Sequence, residues 1–309
     1  MQSGRKPRTI RLRCIIVGTP AMINPHLHPP LALATAAIVW GLIWCPYRAL
    51  HADGIGPALG SALTYCIAFA LALVTLRRRL SRFRITPALA VIALAAAWSN
   101  VGFIVAIVHG EVVRVTLLFY LAPFWTILFA RWLLDERLDR RGWMALTFAL
   151  PGAAIMLWEP RVGLPLPRDG ADWLALTGGM AFALSNVLIR REHATPIAVK
   201  SIAVLAICTV LGFAAAFWTG LDVERLEAAS PQSWVLVLWL GTVLLVVNLV
   251  VQFGLTHTPA NRAIVIYLLE LVVAAASAAA LAGEFIGLRE LIGGGLIVAG
   301  TLLSRPPAG

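Results

Sequence analysis

The sequence predicts an all-α integral membrane protein, with ten transmembrane helices arranged as two inverted-topology five-helix repeats around a central cavity. Three observations predict it. Apolar residues make up 60% of the 309-residue chain and charged residues 13%, with a mean hydropathy of +0.85, whereas soluble domains carry about 25% charge. The charges cluster and leave long uncharged runs, and a spanning helix needs ~20 such residues. Polar residues of the first half also recur in the second half at a fixed offset.

The apolar runs fall at about 31–50, 57–76, 86–108, 112–134, 141–158, 171–189, 197–219, 232–255, 259–282 and 286–303. Each is long enough to cross as a helix. Helices are required because lipid offers backbone groups no hydrogen-bond partner. Pro57, Pro87, Pro196, Pro231 and Pro259 sit at or near span starts, where a first helical turn tolerates proline. Pro46, Pro123 and Pro151 lie inside spans and predict local kinks. The fifth and tenth spans are rich in Gly and Ala and poor in polar groups, which suits peripheral packing. The domain plan is a basic tail over 1–30, a first repeat over 31–158, an outside linker over 159–170 and a second repeat over 171–304.

The net charge of +10 does not predict nucleic-acid binding, because Lys and Arg sit in connectors between apolar runs. With the N-terminus in the cytosol, only Arg48, Arg114, Arg161, Arg168, Arg225 and Arg289 of the 25 Lys and Arg fall at outside ends. That bias predicts both termini cytoplasmic. The segment before the first span is basic through Arg5, Lys6, Arg8, Arg11 and Arg13, and Gly18 and Pro20 break its apolar stretch. It reads as a cytosolic tail and not as a cleaved signal peptide. Cys14, Cys45, Cys66 and Cys208 form no CxxC pair and read as small hydrophobes.

At an offset of 148, Asn100 meets Asn248, His109 meets His257, Arg114 meets Arg262, Glu136 meets Glu284 and Arg141 meets Arg289. An offset of 142 relates the first span to the sixth, setting Thr35 on Thr177, Trp40 on Phe182 and Arg48 on Arg190. Five spans per half is an odd number. The second half therefore enters from the opposite side, the plan of transporters that alternate access around a midplane site.

The run from Leu33 to Gly41 followed by Arg48, then Tyr120 to Pro123 with Glu136 to Leu138, Gly142 and Gly152, resembles the EamA family of the drug/metabolite transporter superfamily. Gly283 to Gly293 followed by Gly300 is similar to the matching end of the repeat. The second half departs at Leu271, where the first has Pro123, and at Ala183, where the first has Gly41. Within the superfamily the chain looks most like the YddG-type aromatic amino-acid exporters. The resemblance implies a bacterial inner-membrane exporter of Trp, Phe and Tyr. Its partners would be that small-molecule substrate and the lipid bilayer; a monomer is compatible with it.

Substrate-path residues must face inward, since polar groups facing lipid are costly. Trp40, Trp44 and Tyr47 share one face of the first helix and could stack on a planar ring or serve as packing or interfacial aromatics. Glu270 is the one acid deep in a span and is expected to hold an ammonium group or a proton, one turn after Tyr267. Asn100, Asn186, Asn248 and Gln252 are amides near mid-membrane, open to substrate binding or to joining helices. Tyr65, Trp98, Phe103 and Tyr120 complete the candidate substrate-binding set, with Phe119 and Phe124 as further aromatic candidates. His109, Arg114, His257 and Arg262 are candidate gates at opposite mouths, or helix-end chemistry. Glu136 and Glu284 are expected to order turns without touching substrate.

No P-loop appears, so ATP coupling is not expected. No HExxH, GxSxG or metal-spaced His/Cys set appears either, and no cofactor, metal or enzymatic activity is expected. The residues alone leave two other readings open: export of another metabolite or drug class, and a non-transporting membrane enzyme or scaffold.

Overall fold

The computed structural model describes residues 28–79, 86–158, 166–220, 226 and 228–304. The tail before residue 28, the linker residues 159–165, and Arg161, Arg225 and Arg305 lie outside the described residues. Among the described residues all regular structure is helical. The first span is α1 (Pro29–Leu42) and α2 (Trp44–Ala52); the second and third are α3 (Pro57–Leu76) and α4 (Pro87–His109). The fourth is α5 (Val112–Phe119) with α6 (Ala122–Leu133), and the fifth is α7 (Arg140–Leu157). The second half follows with α8 (Gly170–Arg191), α9 (Ile197–Trp218) and α10 (Pro231–His257). Its ninth span is α11 (Ala260–Tyr267) with α12 (Leu269–Ala282), and its tenth is α13 (Leu288–Leu303). Eight of the ten are long and apolar enough to cross a membrane by length and composition. The exceptions, α7 and α13, are the two spans expected to be peripheral.

Three spans are broken. Pro46 and Pro123 lack the N–H that would bond four residues back, so the carbonyls of Leu42 and Phe119 lose their helical partners. The chain turns at Ile43 and at Tyr120–Leu121, where Ile43 N bonds Trp40 O and Leu121 N bonds Leu118 O, each three residues back. The helix through Pro151 is continuous. The ninth span breaks at Leu268 without any proline. Shifted by 148 residues, Val112–Phe119 falls on Ala260–Tyr267, and the fourth-span break falls on the ninth-span one.

Packing follows the same two-fold relation. Span three packs on six and seven, and its mate, span eight, packs on one and two. Span four packs on six, and nine packs on one. Pairs two–seven, four–nine and five–ten pack on their own mates. The chain thus forms two similar groups, spans three, four and six against spans eight, nine and one.

Glycines set the closest approaches. In α7 and α13, a Cβ on Gly152 would lie 2.6 Å from Gly293 O, and one on Gly300 would lie 2.6 Å from Ala145 O. Backbone meets backbone along that seam, as small residues permit inside membranes.

Links between helix ends divide the bundle into two faces. The near face holds the starts of spans one, three, seven and nine, and the far face holds the ends of those spans. Asp53 Oδ2 accepts from Ser230 N at 2.7 Å on the far face. Arg114 meets Asp172 there at 3.4 Å, and Arg289 donates to Trp158 O at 3.0 Å. On the near face, Lys200 is fully buried on α9. Its ammonium donates to Thr256 Oγ1 at 2.6 Å, to Ile189 O at 3.2 Å and to Glu192 O at 3.3 Å. These last carbonyls end α8, where a cation is favoured by the helix dipole.

Candidate functional site

The breaks in spans four and nine meet, because α6 packs on α11. A chain of rings crosses this meeting point. Phe103 on α4 lies 4.6 Å from Phe119 at the end of α5. Phe119 lies 5.9 Å from Phe182 on α8, and Phe182 lies 5.5 Å edge-on to Tyr267 at the end of α11. Tyr120 joins at 5.8 Å from Phe119. All spacings fall in the range of favourable aromatic pairs. The ladder is built by four spans, and Phe119 and Tyr267 are mates at the repeat offset.

Two glycine contacts hold it in place. A Cβ on Gly179 of α8 would lie 2.3 Å from Phe119 O, so only glycine lets span six reach the fourth-span break. A Cβ on Gly41 of α1 would lie 2.8 Å from Glu270 O. Span one therefore rests on the ninth span just past its break.

Glu270 is half-buried in the first turn of α12. Free N–H groups and the helix dipole there favour a carboxylate. Tyr120 lies beside it, so the acid of one half faces the phenol of the other. Tyr267 lies one turn earlier in the chain. The structure thus brings together Phe103, Tyr120, Tyr267 and Glu270 from the predicted set. Phe182, read in the sequence only as the mate of Trp40, belongs to the group as well.

Other predicted residues sit apart from it or are committed elsewhere. Trp40 is half-buried against the core containing Tyr65 and Tyr267. The shared face expected for Trp40, Trp44 and Tyr47 is split by the break at Ile43. Trp44 Nε1 donates to Ser277 Oγ at 2.9 Å, toward span nine. Tyr47 bonds Thr64 Oγ1 at 2.6 Å, toward span two. Tyr65 donates to Asn100 Oδ1 at 2.8 Å, and Asn100 donates to Ala96 O at 2.8 Å. That amide joins spans two and three. Trp98 is exposed on one stripe with Val91 and Leu94 and donates to Thr177 Oγ1 at 3.3 Å. Asn186 is buried in α8.

Asn248 is the mate of Asn100, and at the offset of 142 Ile207 falls on Tyr65. The Oδ1 of Asn248 and the Oε1 of Gln252, one turn on, are buried with no hydrogen-bond partner among the described residues. A buried acceptor left unpaired is costly, so these two oxygens are suited to a donor that is not part of the helices around them.

Of the four gate candidates, Arg114 pairs with Glu111 and Asp172. His257 bonds Phe253 O of its own helix at 2.8 Å and is exposed. His109 is exposed at the end of α4, and Arg262 is half-buried at the start of α11. The near-face contact between the two groups of spans lies elsewhere. Glu136 Oε2 accepts from the backbone N–H of Ala260 at 2.9 Å, and its Oε1 accepts from Arg190 Nε at 3.4 Å. Arg190 also donates to Thr256 O at 2.8 Å. The sequence signalled these residues only through the pairs Arg48/Arg190 and Glu136/Glu284. No group of three or more His, Cys, Asp or Glu suited to a metal occurs among the described residues.

The sequence matches the EamA-like transporter family twice, over residues 29–158 and 170–305. A crystal structure of another protein superposes with a TM-score of 0.72 at 18% identity, covering 89% of this chain and 96% of that one. No curated protein sequence matches the chain.

Proposed function

Because the chain belongs to the EamA-like transporter family, we propose that it exports aromatic amino acids from the bacterial cytoplasm by alternating access. The orientation proposed places both termini in the cytoplasm, following the Lys and Arg bias. The observation that carries the reading is the aromatic ladder ending at Glu270, set where two broken spans meet. Phe103, Phe119, Phe182 and Tyr267 offer ring faces and edges to a planar side chain. Glu270 offers a carboxylate to the ammonium group that every amino acid carries. The unpaired oxygens of Asn248 and Gln252 offer acceptors to the same kind of donor. Half-helix ends beside unwound backbone are how many transporters hold a polar substrate at mid-membrane.

The test is uptake or efflux of labelled Trp, Phe and Tyr in proteoliposomes holding the purified chain. The expected result is flux above empty liposomes for at least one of the three. No flux for any of them, with a folded protein, rules out the aromatic substrate while leaving family membership untouched.

A further inference from the structure

The near-face contact between the two groups of spans has a counterpart on the far face whose parts are all present and not joined. On the near face, Glu136 follows a residue with left-handed backbone, Asp135 at φ 53°, and its N–H bonds Ala130 O at 3.1 Å. On the far face, Glu284 follows Gly283 at φ 69°, and its N–H bonds Ala278 O at 3.3 Å. The two turns are the same turn, 148 residues apart, and each presents a glutamate. The helix start capped by Glu136, at Ala260, corresponds to Val112. The guanidinium beside Glu136, that of Arg190, corresponds to Arg48.

The side chains differ where the turns agree. Glu136 is half-buried and makes both bonds described above, whereas Glu284, Phe285 and Arg48 are exposed, Phe285 at 94%. No ion pair or side-chain hydrogen bond joins Arg48 or Glu284 to the described residues, and α5 has no side-chain cap from its N-cap residue, Glu111. Leu138, after the near turn, packs against the core between α7 and α11. Its mate Ile286 is 37% exposed and lines a cavity of about 230 Å³ with Leu271, Glu284 and Phe285.

We propose that Glu284 and Arg48 form a far-face lock, with Glu284 capping α5 at Val112 N and Arg48 beside it, and that this lock closes when the Glu136–Arg190–Ala260 lock opens. The geometry of the closed lock is already built once in the molecule. Each lock joins the same two groups of spans: spans four and six supply Glu136 and Arg190 to the start of nine, and spans nine and one supply Glu284 and Arg48 to the start of four. Rocking the groups apart at one face brings them together at the other, so the two locks exclude each other. The cavity beside Glu284 is the space that the far turn crosses on closing. The inference rests on the alternating-access reading above, but its test reads distances and requires no substrate.

Spin labels are placed on exposed residues beside each lock, with Cys14, Cys45, Cys66 and Cys208 changed to alanine. Phe285→Cys with His109→Cys reports the far face. Arg137→Cys with His257→Cys, the mates at the repeat offset, reports the near face. Glu136→Gln is expected to lengthen the near distance and to raise the short-distance population at the far face severalfold. Adding Glu284→Gln or Arg48→Gln, both on exposed side chains, is expected to reverse the far-face gain. Arg190→Gln, which spares the cap on Ala260, serves as a second opening variant. A near face that stays closed in both opening variants overturns the proposal. So does a far face that does not shorten, or one that shortens equally without Glu284 and Arg48. If neither opening variant folds, the near contact is a folding element and the proposal falls.

Discussion

The Tyr65 hydroxyl donates to Asn100 Oδ1 at 2.8 Å, tying span two to span three at a depth where water is scarce. Polar bonds of this kind inside membranes average ~0.6 kcal/mol and reach ~1.7. Tyr65→Phe leaves the Asn100 oxygen without this donor and is expected to destabilise the protein by about 1 kcal/mol. Thermal melting of the purified protein checks this, and an unchanged midpoint would remove the bond from the list of structural ties.

Asn248 should behave in the opposite way. Its side-chain oxygen has no partner to lose, so Asn248→Leu is expected to leave the melting midpoint unchanged or to raise stability by up to about 1 kcal/mol. The same change is expected to weaken transport. Reduced stability together with normal flux would assign the amide to helix joining.

Gly179→Ala is the substitution expected to be worst tolerated. Its new Cβ meets Phe119 O at 2.3 Å, a backbone atom with nowhere to retreat, and overpacking of this kind costs about 1–3 kcal/mol or more. Gly295→Ala on α13 meets nothing within 4 Å and should stabilise by about 0.5–1 kcal/mol, the usual gain inside a helix. Folded yield by size-exclusion chromatography separates the two.

Glu270→Gln keeps the size and most hydrogen bonding of the side chain and removes its charge. A hydrogen bond to a charged group is worth about 1.5–3 kcal/mol, so transport is expected to fall roughly tenfold or more with folded yield unchanged. Full transport by this variant would assign the acid to structure.

Asp53, between the first and second spans, accepts from the side chain of Ser233 and from the backbone and side chain of Ser230, and these bonds hold its carboxyl below the usual aspartate range. A carboxyl lowered in the folded state adds stability above its unfolded value, and that contribution is lost as pH falls through the folded value. Asp53→Asn should therefore lower the melting midpoint slightly at neutral pH and flatten its fall on the acid limb below about pH 4. A wild-type slope in the variant would show that the loss on acidification comes from other groups.

The ten spans were legible because bilayer burial writes itself into composition. Pro57–Leu76 begins and ends where its apolar run does. The breaks at Ile43 and Tyr120 were legible from Pro46 and Pro123. The break at Leu268 was not, since it occurs with Leu271 in place of proline and is set by packing against spans one and four. Helical periodicity placed Trp40, Trp44 and Tyr47 together, and the Ile43 break parted them. Glu136 looks like a turn residue in the sequence because its partner, the backbone N–H of Ala260, lies 124 residues away, and backbone donors leave no mark on side-chain patterns. Phe119 and Phe182 do not stand out in the sequence for a related reason: a phenylalanine in a spanning helix is ordinary until its neighbours are known.

Lys200 makes the two faces unequal. Its mate at the offset of 142 is Ala58, so the three bonds of its ammonium, one of them reaching Thr256 on span eight, have no equivalent on the far face. An internally duplicated machine with identical ends would idle half its time in each posture. Here a bias of only about 1.4 kcal/mol is tenfold in occupancy, and the bonds of this lysine bias the empty protein toward a shut near face. Opening the near face, the step that on the export reading admits cargo from the cytoplasm, must first part that lysine from Thr256 or from the end of α8.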